Sequence, residues 1–319
     1  MFFVAPALLV AAVVVWRKSW PASPRRRMWA IITAAAFLLW PLLAKPLPWA
    51  YGPLNAGLSL AMAIKVVDVQ QGRVRPDTLA SWWRFVVWFI VPPDTHFAND
   101  AADRARMRRA GIRRWGRGVV KAVCLLVLLW FDARHAWPWP LRAWADAFGI
   151  YFMVSGLADF VTGTTSLCGF ATQEVFAAPF LSRSPGEFWG QRWNLFVNHF
   201  FRRHVFMPLI KRGVFRAAAV VFLLSGLAHE YFVLVCVPTQ AFLPGYMTAF
   251  FVVQGLAVMA GTWWRAHHAR FAPAPFKVAM HFAWMACTVW LFVRPIDPVI
   301  TAFESFVRSL VFGPWLKFL

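Results

Sequence analysis

Apolar runs of about twenty residues recur along the whole length of this 319-residue chain. A run of that length, wound as an α-helix, matches the hydrocarbon thickness of a bilayer. Membrane-crossing strands would show segments of about ten residues with alternating polarity, and these runs do not alternate. Hydrophobic residues make up 60% of the chain and charged residues 14%, whereas soluble domains are about half apolar. The expected fold is therefore all-α: a polytopic transmembrane helical bundle forming one integral-membrane domain over 1–319. Spans are expected at about 2–16, 28–44, 50–67, 118–133, 143–163, 214–237, 243–264, 276–293 and 299–317, about eight or nine in all, with re-entrant or interfacial helices besides.

The formal net charge is +20, which raises the question of nucleic acid. The basic residues lie between apolar runs, and no soluble module carries them, so no nucleic-acid partner is expected. Assigning alternate loops to one side puts Arg17 to Arg27, Arg73 to Arg117, Arg183 to Arg212 and Arg265 to Lys277 together. That side holds 24 Lys plus Arg against 4 on the other, which has only Lys45, Arg134, Arg142 and Arg294. The rich side is expected to be cytoplasmic. Met1 to Val15 is apolar with no basic stretch before it, and Arg17 and Lys18 follow, so its N-terminus is expected outside. Heavy Ala, Arg and Trp usage points to a bacterial inner membrane. Cys124, Cys168, Cys236 and Cys287 form no C-x-x-C pair, so neither a zinc site nor a disulfide framework is expected.

Two segments on the basic side exceed simple connectors. In the first, Trp82 to Val91 is apolar but too short to span, carries Arg84 and stops at Pro92–Pro93. It reads as an interfacial or re-entrant helix, or equally as a buried half-helix. The basic run Arg104 to Gly118 follows, either a solvated topology determinant or an attractor of anionic headgroups and nucleotide phosphates. In the second, Ser184, Pro185 and Glu187 have the spacing of a capping box. The helix so begun is expected to carry Phe188, Trp189, Trp193, Phe196, Phe200 and Phe201 at the interface.

Polar and aromatic residues are densest over Pro179 to Glu230, the motif core (179–230). His229 lies in VVFLLSGLAHEYFVLV, about fifteen residues into an apolar run. That is roughly 20 Å along a helix entering near Val214. Ionisable groups at such depth are costly and default to function, and histidine suits proton abstraction near neutral pH. Ser225 lies four residues earlier on the same face. Gly226 permits close approach of a partner helix or ligand. Glu230 is placed to orient the imidazole or to pair with an arginine. His229–Glu230 is followed by Tyr231, Phe232 and Val233, so the second histidine of a H-E-x-x-H zinc site is missing and no metal is expected. A Ser225–His229 nucleophile pair lacks the G-x-S-x-G elbow. Asn194, in FWGQRWN, could stabilise an oxyanion, or orient an alcohol, or simply cap a helix. His199 and His204 read as interfacial structural residues. An intramembrane His–Glu pair also fits a proton-coupled transporter.

The order FLSRSPGEFWGQRWN, then Val205 to Pro208 as V-x-x-P, then SGLAHE resembles the membrane-bound O-acyltransferase superfamily, and looks closest to its wax synthase-like branch. The resemblance covers about 50 residues, including the interval from 194 to 229. It implies an acyltransferase with His229 as catalytic base and Asn194 as the second active-site residue. The related sterol and diacylglycerol acyltransferases carry F-Y-x-D-W-W-N. This chain departs from that box at Gln191 and Arg192, which argues against those acceptors. The chain is also shorter than family members typically are, which suggests a missing N-terminal helix or two.

A base and an oxyanion partner suffice to pass an acyl group from a thioester to an alcohol, because a thiol of pKa about 8.5 leaves readily. No cofactor is then expected, with acyl-CoA as co-substrate. Trp189, Gln191, Arg192, Trp193, Ser225 and Glu230 are the expected substrate-binding residues, and Trp189, Arg192 and Trp193 would line the donor channel. The expected reaction joins a long-chain acyl group to a lipophilic alcohol among the membrane lipids. The rival enzyme reading is short-chain transfer, such as acetyl, to a polysaccharide, lipid headgroup or small-molecule hydroxyl.

Overall fold

The computed structural model describes residues 24–43, 51–91, 95–135, 137–267 and 273–312. The span expected at 2–16, the pair Arg17–Lys18, the stop at Pro92–Pro93 and the end of the 299–317 span lie outside them. The described chain is almost wholly helical, with two strands of three residues each. It divides into two compact units, residues 1–95 with 234–240 and residues 96–233 with 241–319.

In the first unit, α1 (Pro24–Leu43) packs on α2 (Tyr51–Gln70), followed by α3 (Pro76–Ala80) and α4 (Trp82–Ile90). Phe37, Val66, Phe85 and Phe89 are sealed in its core. The segment with two sequence readings is a short helix that buries Phe85, Trp88 and Phe89 while leaving Trp82 and Trp83 exposed. One face therefore serves the core, and the exposed tryptophans suit a headgroup layer. Lys65 is fully buried with its ammonium 4.2 Å from the centroid of the Trp88 ring, a cation–π contact.

The second unit opens with a helical hairpin of α5 (Ala101–Asp132) and α6 (Trp139–Leu167). The basic run was expected between spans; instead it forms the first half of α5, capped by Asp100 accepting from the Asp103 N–H. Arginine is a good helix former, and nothing in Arg104 to Arg114 breaks the helix apart from Gly111. Gly111 is there for contact: a Cβ on it would sit 2.8 Å from the Gly163 carbonyl oxygen. Arg104, Arg108, Arg109 and Arg113 are exposed. Arg114 turns inward and donates to Thr172 Oγ1 and to its carbonyl, both at 2.8 Å, and to Ser166 Oγ at 3.2 Å. Arg117 and Lys121 hold Asp159 at 2.8 and 2.5 Å. The Asp159 and Ser166 bonds tie α5 to α6, and the Thr172 bonds tie the strand that follows α6, ahead of the motif core, to α5.

After the motif segment, which contains α7 (Leu195–Phe201), come α8 (Val214–Cys236), α9 (Tyr246–His267), α10 (Ala274–Val293) and α11 (Asp297–Val307). The spans expected at 276–293 and 299–317 are one continuous helical path, Ala274–Leu310. A 3-10 turn at Arg294–Ile296 joins α10 to α11. Pro295 is tolerated there because it occupies the first turn, where its missing N–H is not needed. Among the described residues, four helices are long and apolar enough to cross a membrane: Trp139–Leu167, Val214–Cys236, Tyr246–His267 and Ala274–Leu310. Leu157, Leu227, Leu256 and Met280 on them are more than half exposed, as lipid-facing residues would be. At one end of the hairpin Arg142 binds Asp132, Asp146 and Glu304, and Arg308 binds Asp132 and Glu304, tying α5 and α6 to α11.

Candidate active site

The motif segment starts as the sequence predicts. Ser184 Oγ accepts from the Glu187 N–H at 3.1 Å, with Pro185 in the first turn. The Glu187 carboxylate reaches back to the Arg183 N–H at 2.9 Å, one residue before the cap. Burial alone would raise the Glu187 pKa, but that N–H and the Arg192 guanidinium hold it below the usual carboxylate range.

The expected single aromatic helix does not form. Phe188–Arg192 winds as a π-turn, closed by the Trp193 N–H donating to the Phe188 carbonyl at 2.9 Å. Such turns favour functional sites. Trp193 is extended, and Asn194 adopts φ 41°, ψ 62° in the left-handed region. Asparagine tolerates that region better than other non-glycine residues. Asn194 Oδ1 then accepts from the Val197 N–H at 3.4 Å and caps α7. With its carbonyl held, the carboxamide can present its N–H groups, which make no hydrogen bond among the described residues.

Arg192 is a brace. Its guanidinium bonds Glu187 at 2.8 Å and the carbonyls of Ala177 and Ala178 at 3.1 and 3.2 Å. Ala178 has φ 48°, so the brace holds a strained turn in place. Gln191 is exposed. Trp193 stacks on Phe188 with ring centroids 5.1 Å apart. Trp189 is fixed at both ends: its carbonyl accepts from Asn198 Nδ2 at 2.8 Å, and its indole N–H points to Gln254 Oε1 at 3.4 Å. His199 bonds Gln173 at 2.8 Å, in keeping with a structural role.

His229 lies inside α8. Its Nδ1 bonds the Ser225 carbonyl oxygen at 2.8 Å. A carbonyl only accepts, so Nδ1 carries the proton and Nε2 keeps the lone pair. Ser225 thus orients the imidazole through its backbone, one of the two parts that the sequence left open to Glu230. Glu230 Oε1 instead accepts from the Thr248 N–H at 3.0 Å, in the first turn of α9, where helix N–H groups lack intrahelical partners. Its Oε2 is buried without a hydrogen-bonding partner among the described residues. The crossing of α8 and α9 is close at two glycines. A Cβ on Gly226 would lie 2.8 Å from Thr248 Cα, and one on Gly255 2.9 Å from Phe222. Small residues let helix backbones meet in this way.

That crossing brings Phe251 of α9 against the His229 ring, with centroids 4.3 Å apart, and against Trp189 at 5.4 Å. His229 is therefore one aromatic ring from the box tryptophan. Two residues that the sequence reading passed over complete the surroundings. Gln254 is fully buried; it accepts from the Trp189 and Trp284 indoles and donates to Thr288 Oγ1 at 2.8 Å. His281 is buried at 3% exposure, with its ring 5.3 Å from Phe188. Both are lone polar residues in apolar runs, and that was the available signal. Among the described residues no cluster of three or more His, Cys, Asp or Glu could hold a metal ion.

The comparisons with known proteins fall on this same segment. Residues 172–253 match the membrane bound O-acyl transferase family. The probable alginate O-acetylase AlgI of Pseudomonas syringae pv. tomato is 30% identical over 189 residues, covering 51% of this chain and 36% of that protein. The probable long-chain-alcohol O-fatty-acyltransferase 1 of Arabidopsis thaliana is 31% identical over 165 residues, 46% of each chain. The chain thus spans between a third and a half of the length of these relatives. The matched segment holds the Phe188–Asn194 box, His229 and Phe251, so over these residues the chain is similar to the membrane bound O-acyl transferase family, and its long apolar helices are those of an integral membrane protein.

Proposed function

We propose that the chain transfers an acyl group from acyl-CoA to a hydroxyl group, with His229 as general base. The observation that carries this reading is the Nδ1 bond to the Ser225 carbonyl, which leaves Nε2 as the acceptor for the hydroxyl proton. The alkoxide attacks the thioester carbonyl as Nε2 takes that proton. The Asn194 carboxamide N–H groups stabilise the oxyanion. The intermediate collapses with cleavage of the C–S bond, and the leaving thiolate takes the proton back from Nε2, which restores the base. The basic loops lie on the cytoplasmic face of a bacterial inner membrane and draw the coenzyme's phosphates to the box, where Trp189 and Trp193 line the path of the donor.

The acceptor favoured is a lipophilic alcohol, in keeping with the Arabidopsis relatives and the apolar rings around His229. The alginate O-acetylase relatives equally support transfer of acetyl to a hydrophilic hydroxyl. Protein in nanodiscs supplied with palmitoyl-CoA or acetyl-CoA, each with hexadecanol or an oligosaccharide, separates the two by product mass. Palmityl palmitate alone supports the first; an acetylated sugar alone transfers the assignment to the second. No acyl product from folded protein, together with solute movement in sealed vesicles, would replace both with a transporter.

A further inference from the structure

We propose that His281 is a binding residue of this site, sharing a hydrogen bond with an amide of the acyl donor's pantetheine arm; the inference rests on the acyl-CoA reading above. His281 lies on α10, seven residues after its first residue, Ala274. At 1.5 Å per residue it sits about 10 Å into the helix, against roughly 22 Å for His229 in α8. Both helices begin after a basic loop, so His281 is the shallower imidazole on the side from which a phosphate-bearing donor arrives. It faces the box itself, with its ring against Phe188, and Phe188 touches both Trp189 and Trp193.

Its polarity is unanswered by the protein. Nδ1 is buried and makes no hydrogen bond among the described residues. The Glu187 carboxylate, whose charge acts on it, is already committed to the Arg183 N–H and to Arg192. Buried polar atoms normally have partners, and the exceptions call for an explanation such as a ligand. The buried Gln254 on the neighbouring helix shows what a structural polar residue looks like in this unit: its oxygen and its nitrogen are both paired. A pantetheine arm carries two amides, each with an N–H donor and a carbonyl acceptor, so it can answer Nδ1 in either tautomer.

The test is equilibrium binding of a non-reactive donor, hexadecyl-CoA thioether, to nanodisc-embedded protein. The wild type is compared with His281→Phe, which keeps a ring and removes the nitrogens, and His281→Asn, which restores a polar group at the δ position. We expect Kd to rise about tenfold in His281→Phe and to recover to within about threefold in His281→Asn. Equal Kd for all three proteins overturns the proposal, as does a rise in both variants alike, which marks a packing role. Failure of the wild type to bind the thioether overturns the inference and the acyl-CoA reading together. Binding that weakens as expected, with no turnover of palmitoyl-CoA or acetyl-CoA, upholds His281 and removes only the reaction.

Discussion

The Arg114–Asp159 cluster in the α5–α6 hairpin and the α8–α9–α10 group both bury polar side chains but treat them differently, although at the hairpin's other end Asp146 Oδ2 is also without a partner among the described residues. Around Arg114 the polar atoms are saturated: one guanidinium serves Ser166 and both the hydroxyl and the carbonyl of Thr172, while Arg117 and Lys121 share Asp159. Around His229 the polar atoms are few, set among phenylalanines, and some are left open. One Glu230 oxygen and His281 Nδ1 have no partner among the described residues, and Nε2 of His229 is free to accept once Nδ1 is bonded. Saturated buried networks rigidify a structure. Open polar atoms in a low-dielectric setting are costly unless a ligand uses them. The first region therefore braces the chain that leads into the motif, and the second is the place for the proposed chemistry.

Apart from His229 itself, the largest effect is expected at Asn194. Asn194→Gly keeps a residue that tolerates φ 41° and costs only a few tenths of a kcal/mol as a cap. Loss of the oxyanion donor should still lower kcat about 10²–10³-fold. A drop of less than fivefold in steady-state assays would move Asn194 to the saturated, structural class. Gln254→Leu comes next. It strands two indole N–H groups and should cost about 1–3 kcal/mol, with kcat falling about tenfold as Trp189 loses its anchor. Thermal unfolding and turnover together check it, and unchanged turnover would uncouple Trp189 from the reaction. Arg114→Ala should sharpen the contrast in the opposite sense. Stability falls by about 2–4 kcal/mol as several hydrogen bonds to a charged group are lost, while kcat per folded molecule stays within about twofold.

The smallest effect is a pH dependence at Glu187. Its folded pKa is depressed, so it contributes stability above its unfolded pKa, and that contribution is lost as pH falls through the lower folded value. Glu187→Gln should flatten the acid limb of stability below about pH 4.5 and leave the neutral range unchanged in pH-dependent unfolding. An unchanged acid limb would show that Arg192 braces the turn at Ala178 without help from Glu187.

Much of the site could be read from the sequence because its residues contrast with an apolar background. His229 stands out in VVFLLSGLAHE, and the Ser184 cap was predicted by spacing alone. The break at Asn194 was only half legible: a helix cap was among the readings of that residue, and the structure bears it out, but the aromatic pattern continues from Trp189 to Phe201 across it and gave no sign of the left-handed stop. The role of Glu230 was hidden for another reason. Its partner is a backbone N–H at the start of α9, eighteen residues on, and sequence shows no such donors. Gln254 and His281 were passed over because neither lies in a motif, and their partners come from other helices. The basic run misled in a similar way, since its charge gave the side of the membrane and concealed that the helix begins at Ala101.

The most direct measurement is acyl transfer by wild type and His229→Ala in nanodiscs, with matched unfolding curves and both palmitoyl-CoA and acetyl-CoA supplied. With Nε2 as the base, the wild type forms ester and His229→Ala loses about 10²–10⁴-fold in kcat with its fold intact. Equal rates from the two folded proteins would contradict the account, because no other group described here combines a fixed tautomer with an open acceptor against the box.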